Sequence, residues 1–342
     1  MTQHSSARRP VTRGDVARYA GVSTAVVSYV VNNGPRPVAP ETAERVREAM
    51  ELLQYRPNLS ARALKSGTSH TLGLILADTL NPHCVEMSFA VTQAAAETGH
   101  RVLVADSRGD AACERALVDD LLARQVDGLV FASTFGRVDP LADVRSIGVP
   151  VVLLDCPGPI PGRATVGPAA RQGVETLVRH LAETHGRRSI ALVIGRDGFG
   201  DPDPRELGWI EELARLGLPR GPVVRGGWSR ESGHLAGLEL LGHRPMPDAV
   251  VAASDRLALG LLRALHEAGV DVPGQVAVVS FDGTHESAYS WPPLTCVRQP
   301  CDLMGRLVLD LIDDPAPGHR EFVMDLVIRS SCGCRPTTQQ PL

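Results

Sequence analysis

VTRGDVARYAGVSTAVVSYVVNN, residues 11–33, reads as two short helices joined by a tight turn. Thr12 followed three residues later by Asp15 is a capping pattern that opens a helix. Val16, Ala17 and Ala20 then fall on one small apolar face, and Gly21 supplies the left-handed backbone that stops it. Ser23 can cap the second helix, where Val27, Val30 and Val31 repeat at i, i+3 and i+4. Outside that face stand Thr24, Ala25, Val26, Ser28 and Tyr29. Two helices so spaced form a helix-turn-helix, whose second helix enters the major groove of DNA. An αα-hairpin inside a larger helical domain would carry the same pattern.

Outward from this stretch, Pro40 opens a third helix whose Val46, Met50 and Leu53 face back onto the first two, with Pro57 ending it. The next segment runs from a good N-cap, Asn58, to a good stop, Gly67, and is too short to hold as a helix alone in water. It is expected to become ordered when something docks against it.

The net charge of −4 hides an asymmetry. Residues 1–68 hold ten basic and five acidic side chains, and the remainder holds 25 basic and 34 acidic, so a head of +5 precedes a body of −9. Only the head is suited to meeting phosphates.

From Thr71 apolar runs alternate with amphipathic helical stretches. The runs are 72–77, 102–105, 128–132, 151–154, 190–194, 249–253 and 276–281, and the helices 82–98, 111–124, 169–185, 204–216, 230–241, 255–268 and 302–313. Continuous apolar strands separated by helices predict parallel sheets in α/β layers, with room for two units meeting near Gly167, where Pro and Gly are dense. Ligands of such sheets sit at the carboxyl ends of strands, which singles out Asp78, Asp106, Ser133, Asp155, Ser254 with Asp255, and Asp282.

With 342 residues the chain can bury a sizeable core, and 43% apolar with 22% charged residues is ordinary globular composition. No apolar run approaches ~18 residues, so no membrane span is expected. The polar start, MTQHSSARRP, lacks the apolar centre of a secretory signal, and a cytoplasmic protein is expected. Seven scattered cysteines suit a reducing compartment. Cys332-Gly333-Cys334 is the one close pair. Its spacing is shorter than common zinc motifs, so neither a metal nor a cofactor is expected. His180 and His185, five apart on a helix, fall on different faces and are expected at the surface.

These features together resemble the LacI/GalR family of transcriptional regulators from about Val11 to Arg329. Thr12, Asp15, Val16, Ala17, Ala20, Gly21, Val22, Ser23, Val27, Ser28, Val30 and Asn32 match the head motif. Tyr55, Pro57, Asn58, Ala61 and Leu64 match the hinge. Leu207-Gly208-Trp209, Ser254-Asp255, Ala258, Gly260, Val279 to Asp282, and Pro292 to Gln299 follow in family order.

The resemblance implies a helix-turn-helix DNA-binding head (1–57), a hinge helix and linker (58–69), and a two-lobed α/β core like periplasmic sugar-binding proteins (70–337). Lobe one would be about 70–167 with 300–326, and lobe two about 168–297 with 327–337. It further implies a homodimer on a palindromic double-stranded DNA operator, controlled by a small-molecule effector between the lobes.

By the same resemblance, Thr24 and Ala25 occupy base-contacting positions beside Val26. Tyr29 stands where many members carry a long polar residue. Thr12, Ser23, Ser28 and Asn32 suit phosphate contacts. In the hinge, Asn58, Ala61 and Lys65 flank Leu64, which would wedge into the minor groove. For the effector, Arg205, Asp255 and Asp282 would supply forked hydrogen bonds to vicinal hydroxyls, with Trp228 as an apolar platform. Gln299 would bridge the lobes, and Asp78, Asn81 and Asp155 would contribute from lobe one.

Ser254 replaces the Asn usual in sugar-responsive members, and His83-Cys84 stands where an aromatic pair often follows Asn-Pro. A sugar or sugar phosphate is therefore favoured over a flat purine. The C-terminus lacks the leucine heptads of tetrameric members, so a dimer is expected. The rival readings are an α/β enzyme and an effector-free binding protein. Against the first, Gly195–Gly200 is not GxGxxG, and HExxH, GxSxG and GK[ST] motifs are missing.

Overall fold

The structure, a computed structural model, describes residues 11–32, 34, 36–57, 67–132, 148–196 and 203–335. The chain divides into two compact units, Met1–Ser69 and His70–Leu342.

In the first unit, α1 (Arg13–Ala20), α2 (Thr24–Asn32) and α3 (Pro40–Leu52) enclose Val16, Ala17, Ala20, Val27, Val46 and Ala49. The capping box forms: Thr12 Oγ1 accepts from the Asp15 amide, and the Asp15 carboxylate accepts from the Thr12 amide at 2.9 Å. Gly21 adopts φ 66° at the end of α1. The third helix stops short of Pro57 because Gln54 turns left-handed (φ 51°), and the Tyr55 amide folds back to the Met50 carbonyl. That turn packs Tyr55 against the small core, a tertiary gain that outweighs another turn of helix.

The second unit holds two six-stranded sheets with helices on their faces. The first comprises β1 (Thr71–Leu76), β2 (Arg101–Asp106), β3 (Gly128–Ala132), β4 (Val151–Leu154), β5 (Ala164–Pro168) and β11 (Gly318–Phe322) in the order β11-β5-β4-β3-β1-β2, all parallel. The second comprises β6 (Ile190–Gly195), β7 (Val223–Gly226), β8 (Ala249–Ala252), β9 (Ala277–Asp282), β10 (Thr295–Arg298) and β12 (Asp325–Val327) in the order β12-β10-β9-β8-β6-β7, parallel except at β12. The layers are completed by α4 (Pro82–Glu97), α5 (Ala111–Ala123), α6 (Ala170–Arg179), α7 (Pro204–Arg215), α8 (Arg230–Leu241), α9 (Asp255–Glu267), α10 (His285–Tyr289) and α11 (Cys301–Asp313).

The chain passes between the sheets three times, after β5, after β10 and after β11. Three short connections are a hinge about which two rigid lobes can turn.

Five strands escape a reading of local pattern. The segment carrying β5 has the Pro and Gly content of a linker, yet it is fully buried, and a Cβ at Gly167 would lie 1.8 Å from the Cys156 carbonyl. β7, β10, β11 and β12 are short; three of them are edge strands, and β10 lies next to one.

The histidine expectation fails. His180–Thr184 is a π-helical turn extending α6, and its i→i+5 winding brings residues five apart into line. His180 is buried, and its Nε2 lies 3.3 Å from Nε2 of His185. Burial, aided by His185, lowers the His180 pKa, and burial with Arg187 lowers that of His185.

Candidate functional site

The carboxyl ends of β1, β4, β8 and β9 converge on a cavity of about 230 Å³ between the lobes of the second unit. From lobe one come Asp78, Asn81 and Asp155. From lobe two come Arg205, Trp228, Ser254 and Asp282, with Gln299 from the crossover after β10.

Asp155 and Asp282 each hold a left-handed backbone immediately beyond or at a strand end, at φ 58° and 97°. Asp tolerates that region better than most side chains, and such strain gathers at ligand sites. Asp282 Oδ1 accepts from Gln299 Nε2 at 3.0 Å, while Gln299 Oε1 is buried with no donor among the described residues. Asn81 caps α4 through the His83 amide, and Ser254 caps α9 through the Leu257 amide.

Arg205 is buried and immobilised. Its Nε and Nη2 fork onto Asp203 at 2.9 and 2.7 Å, Nη1 donates to the Ala253 carbonyl, and the guanidinium stacks 4.4 Å from the Trp228 ring centroid. The indole in turn lies on the backbone of Gly195, where a Cβ would come within 2.1 Å of the ring. Gly195 therefore serves close packing, and the glycine-rich stretch it begins needs no phosphate to explain that residue.

Asp255 is not brought to the cavity. Its carboxylate accepts from Ser280 Oγ at 2.5 Å and from Thr284 through both amide and hydroxyl, at 2.6 and 2.7 Å. These bonds tie α9 to the loop after β9, and Ser254 is the residue that caps the helix. Burial, reinforced by Asp282, raises the Asp255 pKa to about 7.

Several cavity residues were not singled out as ligands from sequence, among them His83, Asp203, Arg256 and the exposed Arg108. His83 Nε2 lies 3.3 Å from Asp155 Oδ2. Burial opposes its charging, but Asp155 and Asp282 outweigh burial and hold its pKa well above the ordinary histidine range. Burial also raises the Asp282 pKa, against the pull of His83 and Arg205. Asp203 was legible as the N-cap before Pro204. Arg256, beside the Ser254-Asp255 pair, had no separate signal.

In the first unit, Thr24 and Ala25 are exposed at the first turn of α2, while Val26, Ser28, Tyr29 and Asn32 are half-buried. Ser23 Oγ accepts from the Val26 amide at 3.3 Å, and Asn32 Nδ2 donates to Ser28 Oγ at 3.2 Å. Tyr29 packs its ring on Gly34, where a Cβ would come within 2.6 Å. Asn58, Ala61, Leu64 and Lys65 lie outside the described residues, as does Ser133.

The family of bacterial regulatory proteins termed lacI matches residues 13–58, and a periplasmic binding protein-like domain matches residues 178–332. The ribose operon repressor of Escherichia coli (strain K12) is 31% identical over 306 residues, covering 88% of this chain and 92% of the relative. The transcriptional regulator GalR of the same strain is 32% identical over 341 residues, covering 95% and 96%. Among solved structures, the lac repressor dimer bound to operator and the anti-inducer ONPF superposes with a TM-score of 0.84 at 29% identity, covering 95% of this chain and 99% of that one. A complex of the regulator CelR with cellobiose gives 0.69 at 31% identity, covering 94% and 100%. These relatives are repressors and regulators, not enzymes.

Proposed function

The chain belongs to the LacI family of bacterial regulatory proteins, DNA-binding regulators of transcription that answer to small effectors, and we propose that it represses a palindromic operator as a homodimer under control of a small neutral sugar. The observation that carries the effector class is the charge balance of the cleft. Arg205 is neutralised by Asp203 and Arg256 by Asp78, and the imidazole of His83 lies 3.3 Å from Asp155 and within the field of Asp282. Among the described residues the buried cations of the cleft are paired, and its acceptors and the Gln299 carbonyl suit hydroxyl groups; Arg108, exposed in the lobe-one lining, is the cation that a phosphate would have to reach. The cavity is also smaller than the roughly 300–1,000 Å³ typical of drug-sized ligands. Of the expected sugar or sugar phosphate, the paired buried charges favour the unphosphorylated sugar, and Arg108 is the residue on which the alternative turns.

Arg205, Trp228, Asp282 and Gln299 would hold the ligand from lobe two and the crossover, and Asp78, Asn81 and Asp155 from lobe one. Ligand binding would fix the lobe angle and so bias the hinge. On DNA, Thr24 and Ala25 would meet base edges through hydroxyl and methyl groups. Thr12, Ser23, Ser28 and Asn32 would set register on phosphates. Dimerisation is supported by exposed apolar side chains at helical spacing, Val85 with Phe89 on α4 and Leu235 with Leu238 on α8. Acting on an operator, the protein would work in the cytoplasm.

The test is a thermal-shift screen of neutral pentoses, hexoses, their phosphates and purines against the full chain, followed by gel shift with any hit. A response confined to phosphorylated sugars or purines would refute the effector assignment.

A further inference from the structure

His180, His185, Cys332 and Cys334 come together on the rim of lobe two remote from the cleft. We propose that these four side chains form a structural zinc site that pins the end of the last strand segment to α6.

The donor separations match those of a tetrahedral zinc site. Zinc at about 2.0–2.1 Å from nitrogen and about 2.3 Å from sulfur requires ligand separations of about 3.3 Å between two nitrogens and about 3.6 Å between nitrogen and sulfur. The two Nε2 atoms are 3.3 Å apart. Cys332 Sγ lies 3.3 Å from His180 Nε2, and Cys334 Sγ lies 3.3 Å from His185 Nε2 and 3.7 Å from His180 Nε2. All four donor atoms fall within 4.8 Å of one another.

Two backbone irregularities produce this arrangement. The π-helical turn His180–Thr184 carries His185 round to face the same point as His180. The turn Ser330–Gly333, closed by the Gly333 amide on the Ser330 carbonyl, presents both sulfurs to the histidines. Gly333 sits at φ 110°, and a Cβ there would come within 3.1 Å of His185 Nδ1. The single-residue spacing that argued against a zinc motif in sequence is thus completed by two histidines about 150 positions away.

Placement argues for a structural role. The Ser331 carbonyl accepts from Val278 near the start of β9, and the Ser331 hydroxyl accepts from Thr295 at the start of β10. These are the amino ends of strands whose carboxyl ends form the cleft. His180 and Cys332 are buried, His185 and Cys334 half-buried, and four protein donors leave no open coordination position. Thr295 Oγ1 lies 3.1 Å from Cys332 Sγ and can donate its proton to a thiolate there. Mixed imidazole and thiolate donors in tetrahedral array select zinc over magnesium or calcium.

The experiment is metal analysis of the full chain, purified under reducing conditions and re-equilibrated with zinc, beside Cys334→Ser, His185→Gln and, as a control at the separate His70–His100–Asp127 group, His100→Ala. One zinc per chain is expected in the parent and in His100→Ala, with that zinc lost in the other two. Cobalt substitution supplies a second readout: intense visible bands of tetrahedral thiolate coordination in the parent, missing in Cys334→Ser. A parent chain that retains no zinc, a Cys332–Cys334 disulfide persisting under these conditions, or zinc content that follows His100 and not Cys334 would each overturn the site.

Discussion

The carboxylate of Asp78, just beyond the first strand of lobe one, lies 2.5 Å from the guanidinium of Arg256 in the first turn of α9 in lobe two. This ion pair spans the mouth of the cleft, so its partners belong to bodies that separate when the lobes open. A second bridge, from the His285 amide to the Glu86 carboxylate at 2.7 Å, acts across the same divide.

Arg256→Leu is expected to weaken effector binding by opening the cleft. A partly exposed pair contributes up to about 1 kcal/mol, or roughly fivefold in affinity. Calorimetric titration of parent and variant measures it, and equal dissociation constants would show that the pair does not hold the lobes closed.

His83 makes stability depend on pH. Its pKa is raised in the folded protein, so its stabilising contribution is complete below about 6.5, the unfolded value, and is lost as pH rises through the folded value. Thermal melting across pH 6 to 10 should show a decline in the parent that is shallower in His83→Gln. Parallel curves would mean that His83 carries no such charge.

Asp255 is expected to matter for stability. Asp255→Ala leaves the Thr284 amide and two hydroxyls without their buried acceptor, at a cost of about 1–3 kcal/mol for an unsatisfied group. Denaturant unfolding should show the loss, with effector affinity per folded molecule little changed. A large affinity defect in a fully stable variant would return Asp255 to the ligand.

Gly195→Ala should disturb the Trp228–Arg205 stack, since the added methyl and the indole cannot share that space. Overpacking costs about 1–3 kcal/mol, and effector affinity should fall with it. Tryptophan fluorescence and titration together would detect the displaced ring, and an unchanged spectrum with unchanged affinity would contradict the packing role.

Leu64→Ala should weaken operator binding far more than binding to random duplex, because a minor-groove wedge acts only where the DNA is bent. Salt-matched gel-shift titrations on both DNAs give the ratio. If the ratio does not move, Leu64 is no wedge.

The head and the strand–helix alternation were legible in sequence because caps, glycine stops and continuous apolar runs are properties of neighbouring residues. Thr12 with Asp15 closed its capping box, and the helices from Pro82 to Asp313 fall within a residue or two of their expected limits, apart from the π turn and the short helix at His285–Tyr289. Asp78, Asp155 and Asp282 were legible in the same way, since a carboxylate at the end of a buried strand has few other places to point, whereas Arg205, Trp228 and Gln299 came only with the family resemblance.

Tertiary structure decided the rest. β5 reads as a linker until its neighbours cover it, and Asp255 turns inward because Ser280 and Thr284 lie beside it. His180 and His185 meet Cys332 and Cys334 only because a π turn and a distant glycine turn bring them to one rim. Pairings between residues far apart in the chain leave no periodic trace along it. Their energies depend on which surfaces the fold sets face to face.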